Sequence, residues 1–309
     1  MTISLTYQEY WELFQEVDKK ELQLDVLDEK DITLKHIGRP IQGLARKIQL
    51  REGILLWIEE TQYQERLLLN YPEFKLGLRF HFVLSGKMQR IYSSAHKETS
   101  FFLNGGRHML WGSGLHNHQI EDFANAESLL EVTLCIQPEV LHSFVSDSSG
   151  ELPQVFHHLV EPFDRQCYRR GGETPTMVNT LLQQIIQCPY QGLTKRMYLE
   201  GKITEIIALM LEEEAAVQQG EFKTCLLQPD QLERIQYAKE ILLQNLSNPP
   251  SLMELARQVG MCDYNLKRGF KEVFGTTVFG YLRDRRLEKA QQLLLEQNMT
   301  VASVARAGG

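Results

Sequence analysis

The sequence predicts an α+β protein: β-rich over residues 1–176, a helical connector over 177–227, and an all-α tail over 228–309. Three observations predict it. Between about 45 and 145, segments such as KIQLREGILLWIEE, KLGLRFHFVLSGKMQRIY and SLLEVTLCI are strand-length. They are rich in Ile, Leu, Phe, Val and Tyr, and Gly, Asn and Pro punctuate them. From residue 177, MVNTLLQQIIQ and LTKRMYLEGKITEIIALMLEEEAAVQQ place apolar residues at three- and four-residue steps. Beyond Pro229, amphipathic segments are separated by tight turns bearing glycine.

The elements follow in order. Tyr10, Leu13, Phe14 and Val17 recur at helical spacing and give residues 5–28 a partly helical opening. In RFHFVLSG, Phe80, Phe82 and Leu84 alternate with Arg79, His81 and Val83, the pattern of a half-buried strand. Several such strands in one domain favour a sandwich or small barrel. Residues 146–176, with SDSSGELP and RRGGETP, read as loop or linker. The connector 177–227 serves as an interdomain spacer or a dimer face, or simply buries its apolar side against the β domain. Gly220–Gln228 reads as a hinge, and Pro229 and Asp230 open the next helix with Asp230 as N-cap.

Composition narrows the function. The 309 residues are 43% hydrophobic and 24% charged, which excludes disordered and collagen-like chains. Runs such as Ile54–Ile58 and Ile206–Leu211 are too short to span a bilayer, and Met1-Thr2-Ile3-Ser4 shows no secretory pattern. Five scattered cysteines without a CxxC pair argue against a zinc site or a disulfide framework and fit a reducing cytoplasm. The formal charge of −7 is uneven: residues 228–309 hold eleven Lys/Arg against nine Asp/Glu, a net +2. A mildly basic tail on an acidic body points to units with different partners.

The most informative segment is PPSLMELARQVGMCDYNLKRGFKEVFG, residues 249–275. Ser251 and Glu254 form a capping box after two prolines. Leu252, Leu255, Ala256 and Val259 make one apolar stripe, and Gly260 supplies a tight turn. Leu266, Phe270, Val273 and Phe274 make a second. Helix, short glycine turn and helix is the helix-turn-helix pattern. The second helix carries Tyr264, Asn265, Lys267, Arg268 and Lys271 outward, side chains able to reach bases or phosphates in a major groove. A solvated face of an ordinary helical hairpin is the alternative.

An internal repeat adds weight. ELARQVG (254–260) aligns with SVARAGG (303–309), and YLRDRRLEKAQQLL lies between the copies. Here the tail resembles the AraC/XylS transcriptional regulators, through LARQVGM, NLKRGFKEVFG, YLRDRRLEKAQQLL and VARA. The resemblance implies two helix-turn-helix units joined by a linker helix. It gives base-facing roles to Tyr264, Lys267 and Arg268, and phosphate or scaffold roles to Lys271, Arg285 and Arg286. It also implies double-stranded DNA and RNA polymerase as partners. Gly309 aligns with the turn glycine Gly260, and Gly308 takes the place of Val259, so the second motif reads as cut short. One expectation is therefore weak binding through a single module, or a non-functional remnant.

The β-rich half holds a histidine cluster: His108, His116 and His118, with Glu121 and Asp122. It offers a metal centre of the kind cupin enzymes use, an effector contact, or ordinary loop histidines. The AraC/XylS resemblance implies a cupin-like sensor barrel for this half. GLRFHFVLSGK and GSGLHNHQ resemble the pyochelin-type branch, which responds to iron-siderophores. On that reading His116, His118 and Trp111 contact a small effector, possible homodimers form, and neither cofactor, metal nor enzymatic activity is implied.

Overall fold

In a computed structural model of the chain, the described residues are 2–16, 30–94, 97–124, 128–145, 150–219 and 229–296. The repeat copy at 303–309 lies outside them. The chain divides into two compact units: Met1–Glu98 with Leu103–Leu226, and Thr99–Phe102 with Leu227–Gly309.

The first unit opens with β1 (Thr2–Thr6), α1 (Tyr7–Glu12) and β2 (Gln15–Glu16). A run of strands follows: β3 (Asp31–His36), β4 (Ile41–Arg51), β5 (Ile54–Tyr63), β6 (Arg66–Tyr71), β7 (Phe74–Leu76), β8 (Leu78–Ser85), β9 (Lys87–Ser94) and β10 (Lys97–Asn104). The series ends with β11 (Arg107–Trp111), β12 (Gly114–His116), β13 (Gln119–Phe123) and β14 (Ser128–Ile136). Then come α2 (Pro138–Val145), a 3₁₀ turn (Gln154–Leu159), β15 (Arg169–Glu173), α3 (Thr176–Ile186) and α4 (Gly192–Gln218). One sheet has the order β15-β11-β8-β14-β5-β4-β3-β2, a second β1-β6-β13-β9-β10, and β12 pairs with β7 alone.

The large sheet is buried on both faces. On one, Phe80, Phe82, Val132, Leu134 and Leu56 join Leu181, Leu182, Ile203, Ile206 and Met210 of α3 and α4 in one core. On the other, a second core draws on both sheets, with Leu67, Leu69 and Phe123 beside Ile41, Tyr63, Val83 and Met109. This corrects the reading of RFHFVLSG as half-buried. Phe80 and Phe82 do form the apolar stripe, but they lie under helices, while His81 and Val83 face inward and are buried too.

Residues 146–176 also differ from a plain linker. Arg169–Glu173 add β15 to the edge of the large sheet, pairing antiparallel with β11. RRGGE has no strand-like composition, and proximity creates the strand: a Cβ on Gly172 would lie 2.6 Å from His108 Cε1, so only glycine fits there.

The second unit contains α5 (Pro229–Gln244), α6 (Leu252–Gln258), α7 (Asp263–Phe274) and α8 (Val278–Glu296). Because α5 begins at Pro229, Asp230 sits within its first turn and is not the N-cap. Ser251 caps α6 as the pattern demands: its hydroxyl accepts from Glu254 N–H, and the Glu254 carboxylate accepts from Ser251 N–H at 2.8 Å. Burial of Leu255, Ala256, Val259, Leu266, Phe270 and Val273 against Ile235, Ala238 and Leu242 gives this unit its own core, with Leu252 at its margin.

Candidate nucleic-acid interface and interior cavity

The α6–turn–α7 unit is built around Gly260. Its φ of +66° lies in the left-handed region, and the turn closes with Met261 N–H donating to Ala256 O at 2.9 Å. The Arg234 guanidinium donates to Gly260 O and braces the turn from α5. With Leu266 and Phe270 locked in the core, the 3.6-residue period turns Tyr264, Lys267, Arg268 and Lys271 to the opposite side of α7. Tyr264 is 67% exposed, Lys267 and Lys271 are exposed, and Asn265 and Arg268 are half-buried. Lys267 Nζ lies 3.4 Å from Asp263 Oδ2 on the surface, a pairing that a phosphate can displace cheaply.

Two of the three α8 arginines, Arg285 and Arg286, are held. Arg286 Nε donates to Leu246 O at 2.7 Å, tying α8 to the chain after α5. The Arg285 guanidinium lies over the Tyr281 ring at 5.2 Å.

In the first unit the two sheets enclose a cavity of about 60 Å³. Its aromatic walls include Tyr7, Trp11, Trp57 and Tyr71. Its polar wall includes Glu59, Glu121, Glu131, Arg79, Arg90, His81 and Thr133. Strand register explains the clustering: Glu59 and Glu131 are direct cross-strand partners on β5 and β14, and Glu121 is opposite Arg90 on β13 and β9. Glu121 is well satisfied, with Arg90 Nη2 on Oε1 and the Tyr71 hydroxyl donating to Oε2 at 3.0 Å. Glu131 is not: Oε1 lies 2.9 Å from His81 Nε2, yet off the hydrogen-bonding direction, so neither atom has a hydrogen-bond partner. Burial first, then the other carboxylates, push Glu59 and Glu131 up to about 8. Burial, then the charge of Arg90, hold His81 down at about 3, so its ring is neutral.

The sequence-predicted effector residues lie behind this cavity and do not line it. Trp111 is buried with its ring 4.7 Å from the Arg90 guanidinium. His116 stacks on Phe74 at 4.9 Å, its ring 6.5 Å from that of Trp111, and burial followed by Arg79 lowers it to about 4. His118 is half-buried between β12 and β13. His108 sits on the helix-facing side of the large sheet, 6.0 Å from the Phe82 ring, so the sheet separates it from Trp111. Among the described residues, no three His, Cys, Asp or Glu side chains are grouped as metal ligands would be. Of the cavity groups, Glu121 belongs to the histidine cluster of the sequence analysis, while Glu59, Glu131 and Arg90 escaped it. Their signal was a charged residue in the middle of an apolar strand, as Glu131 is in SLLEVTLCI.

Two stretches of the chain match families of known proteins. Residues 42–225 match the model of the regulatory protein PchR N-terminal domain, and residues 255–309 match a helix-turn-helix domain. The chain belongs to the PchR family. This membership bears out the AraC/XylS resemblance of the tail and the pyochelin-type resemblance of the strand motifs. Regulatory protein PchR of Pseudomonas aeruginosa is 38% identical over 147 residues, which cover 44% of this chain and 48% of that protein, about half its length. Among solved structures, unsaturated fatty acid bound wild-type ToxT of Vibrio cholerae aligns with a TM-score of 0.37 at 10% identity, covering 84% of this chain and 87% of its own. A vicilin of Solanum melongena aligns with a TM-score of 0.25 at 20% identity, over 31% of this chain and 27% of its own. Likeness that loose decides nothing about function. Among the described residues of this PchR-family chain, no helix is long and apolar enough to cross a membrane.

Proposed function

We propose that the chain is a ligand-controlled, sequence-specific DNA-binding transcription regulator. The observation that carries this reading is α7: an amphipathic helix fixed by Leu266 and Phe270 and turning Tyr264, Lys267, Arg268 and Lys271 outward together. Arg268 and Asn265 read base edges, Tyr264 and Lys267 stand beside them, and Lys271 and Arg285 meet phosphates. The regulator works in the cytoplasm without catalysis, recruits RNA polymerase, and pairs as a homodimer through residues 177–227, between a sensor at 1–176 and a DNA-binding domain at 228–309. Its effector is a small molecule held by the first unit, of the iron-siderophore class by the branch resemblance. Trp111, His116 and His118 shape that site, Trp111 by fixing Arg90.

The test is selection of a preferred DNA sequence from a random pool, followed by single-base competition. Arg268→Ala is expected to lower discrimination at one base pair by about 1–3 kcal/mol. Lys271→Ala is expected to weaken all sequences alike and to lower the salt slope by about 1. No sequence preference in the unaltered chain refutes the reading.

A further inference from the structure

The interior cavity holds more carboxyl groups than guanidinium groups. Three carboxyl groups, Glu59, Glu121 and Glu131, face two guanidinium groups, Arg79 and Arg90. Arg90 is engaged with Glu121. Glu59 and Glu131 sit directly opposite each other across β5 and β14, where like charges repel at side-chain distances of about 5 Å. Ionising all five groups would leave one excess negative charge, so Glu59 and Glu131, raised to about 8, keep their protons near neutral pH, and a cation beside them would let them ionise.

The unsatisfied atoms say what would relieve it. His81 Nδ1 is 3.0 Å from Thr133 Oγ1, and with a neutral ring donating there, Nε2 is an acceptor. That Nε2 and Glu131 Oε1 are both buried and both without hydrogen-bond partners, and Glu131 is only 8% exposed. In that tautomer, and with Glu131 ionised, the two are neighbouring acceptors that a donor with several hydrogens would satisfy together. The aromatic wall, with Trp11 and Trp57, favours a positive charge on that donor. Arg90 Nε and Nη1, also buried and without hydrogen-bond partners, call for an oxygen acceptor. A neutral or anionic ligand would give the facing Glu59 and Glu131 no charge against which to ionise.

We infer that the cavity between the two sheets binds a small primary ammonium compound that also carries a hydroxyl or carbonyl oxygen, the ammonium between Glu131, Glu59 and His81 and the oxygen toward Arg90. This rests on the reading of the first unit as the sensor. About 60 Å³ of free space holds roughly four waters, so a compound of a few heavy atoms, or such an arm of a larger one, fits.

Trp11 and Trp57 line the cavity, so intrinsic fluorescence of the full chain reports on it. Propanolamine is titrated against propylamine, propanediol, propionate and tetramethylammonium at constant ionic strength. Saturable binding is expected for propanolamine, weaker binding for propylamine and tetramethylammonium, and none for propanediol or propionate. Glu131→Gln is expected to weaken propanolamine about tenfold or more with no loss of thermal stability. The panel on the unaltered chain carries the test even where that variant does not fold. Equal or tighter binding of propionate or propanediol overturns the inference, as does no saturable response to any amine. Sequence-specific DNA binding is measured on the same preparation. A chain that selects a DNA sequence and answers a pyochelin-type ferric siderophore but no amine refutes this inference and leaves the proposed function standing. A chain without sequence preference refutes the proposed function, whatever the cavity binds.

Discussion

Glu59→Gln is expected to stabilise the first unit, and only above mildly acidic pH. Burial, then Glu131 and Glu121, raise the Glu59 carboxyl from 4.5 to about 8. A group raised in the folded state stabilises fully below its unfolded value, and that contribution drains away as pH climbs through the folded value. For Glu59 the window runs from about 4.5 to about 8. The full displacement is worth about 5 kcal/mol above that window. Glu131 is raised by the same burial and stands opposite, so relieving Glu59 alone recovers about half, roughly 2 kcal/mol. Glutamine keeps the shape and removes the charge. For a unit of this size, the gain corresponds to about 4–8 °C in the unfolding midpoint at pH 8.5. At pH 4 the two proteins should unfold together within about 1 °C, since the carboxyl is then protonated in both states. Calorimetry with the two units' transitions resolved provides the measurement. An unchanged or lower midpoint at pH 8.5, or an equal gain at pH 4, refutes the reasoning.

Phe270→Ala removes a fully buried ring from the core under α7 and should cost the second unit about 3–5 kcal/mol, abolishing DNA binding while the first unit's transition stays put. Gly260→Ala should cost about 1 kcal/mol through its positive φ, with Arg234 Nη1, only 2.9 Å from the new Cβ, forced to move; an unaffected second transition would show that the turn tolerates a side chain. Glu214 is held at about 2, burial pushing it up but the His158 hydrogen bond and the Arg170 charge prevailing. Its folded value is depressed, so its contribution is present above 4.5 and lost as pH falls toward 2; acid titration of stability should show about 2 kcal/mol of this loss, absent in Glu214→Gln.

The second unit was legible because its signals are local. A capping box, a turn glycine and an apolar stripe each need only a few neighbouring residues, and Ser251, Gly260 and Leu266 take the places they dictate. The first unit was legible as β-rich but not as a site. Alternation told that β8 has two faces. It does not tell which face meets helices and which meets a cavity, because that choice is made by α3 and α4, more than ninety residues downstream. With Phe80 and Phe82 read as the core, His81 and Arg79 fell to the outside by default. The Glu59–Glu131 pairing is set by the register of β5 against β14, which no local pattern specifies. For the same reason the histidine cluster looked closer in sequence than it is in space: His108 and Trp111 lie three residues apart on one strand and therefore on opposite faces.

That arrangement of faces carries a functional consequence within the first unit. A barrel filled with apolar side chains would be more stable than one holding a Glu59–Glu131 pair, so the polar interior is a standing cost. The helices offset it by burying the reverse faces of the same strands. On β8, His81 lines the cavity while its neighbours Phe80 and Phe82 pack in the helix-facing core; on β14, Glu131 and Thr133 line it while Val132 and Leu134 pack there. A ligand that changes the charge or spacing of the cavity groups therefore acts on strands whose other face holds Ile203, Ile206 and Met210 of α4. The far end of that helix is pinned by Glu214 to Arg170 of β15 at 2.6 Å and to His158 at 2.8 Å. Two alternative packings of α4 on this sheet, with the ligand preferring one, would suffice for a response, and the ligand can shift their populations by no more than its difference in affinity for them. A network of ion pairs that holds one packing is then part of the sensor. Loosening it by Glu214→Gln should change the amplitude of the effector response even though Glu214 contacts no ligand. An unchanged amplitude would place the movement elsewhere in the sheet.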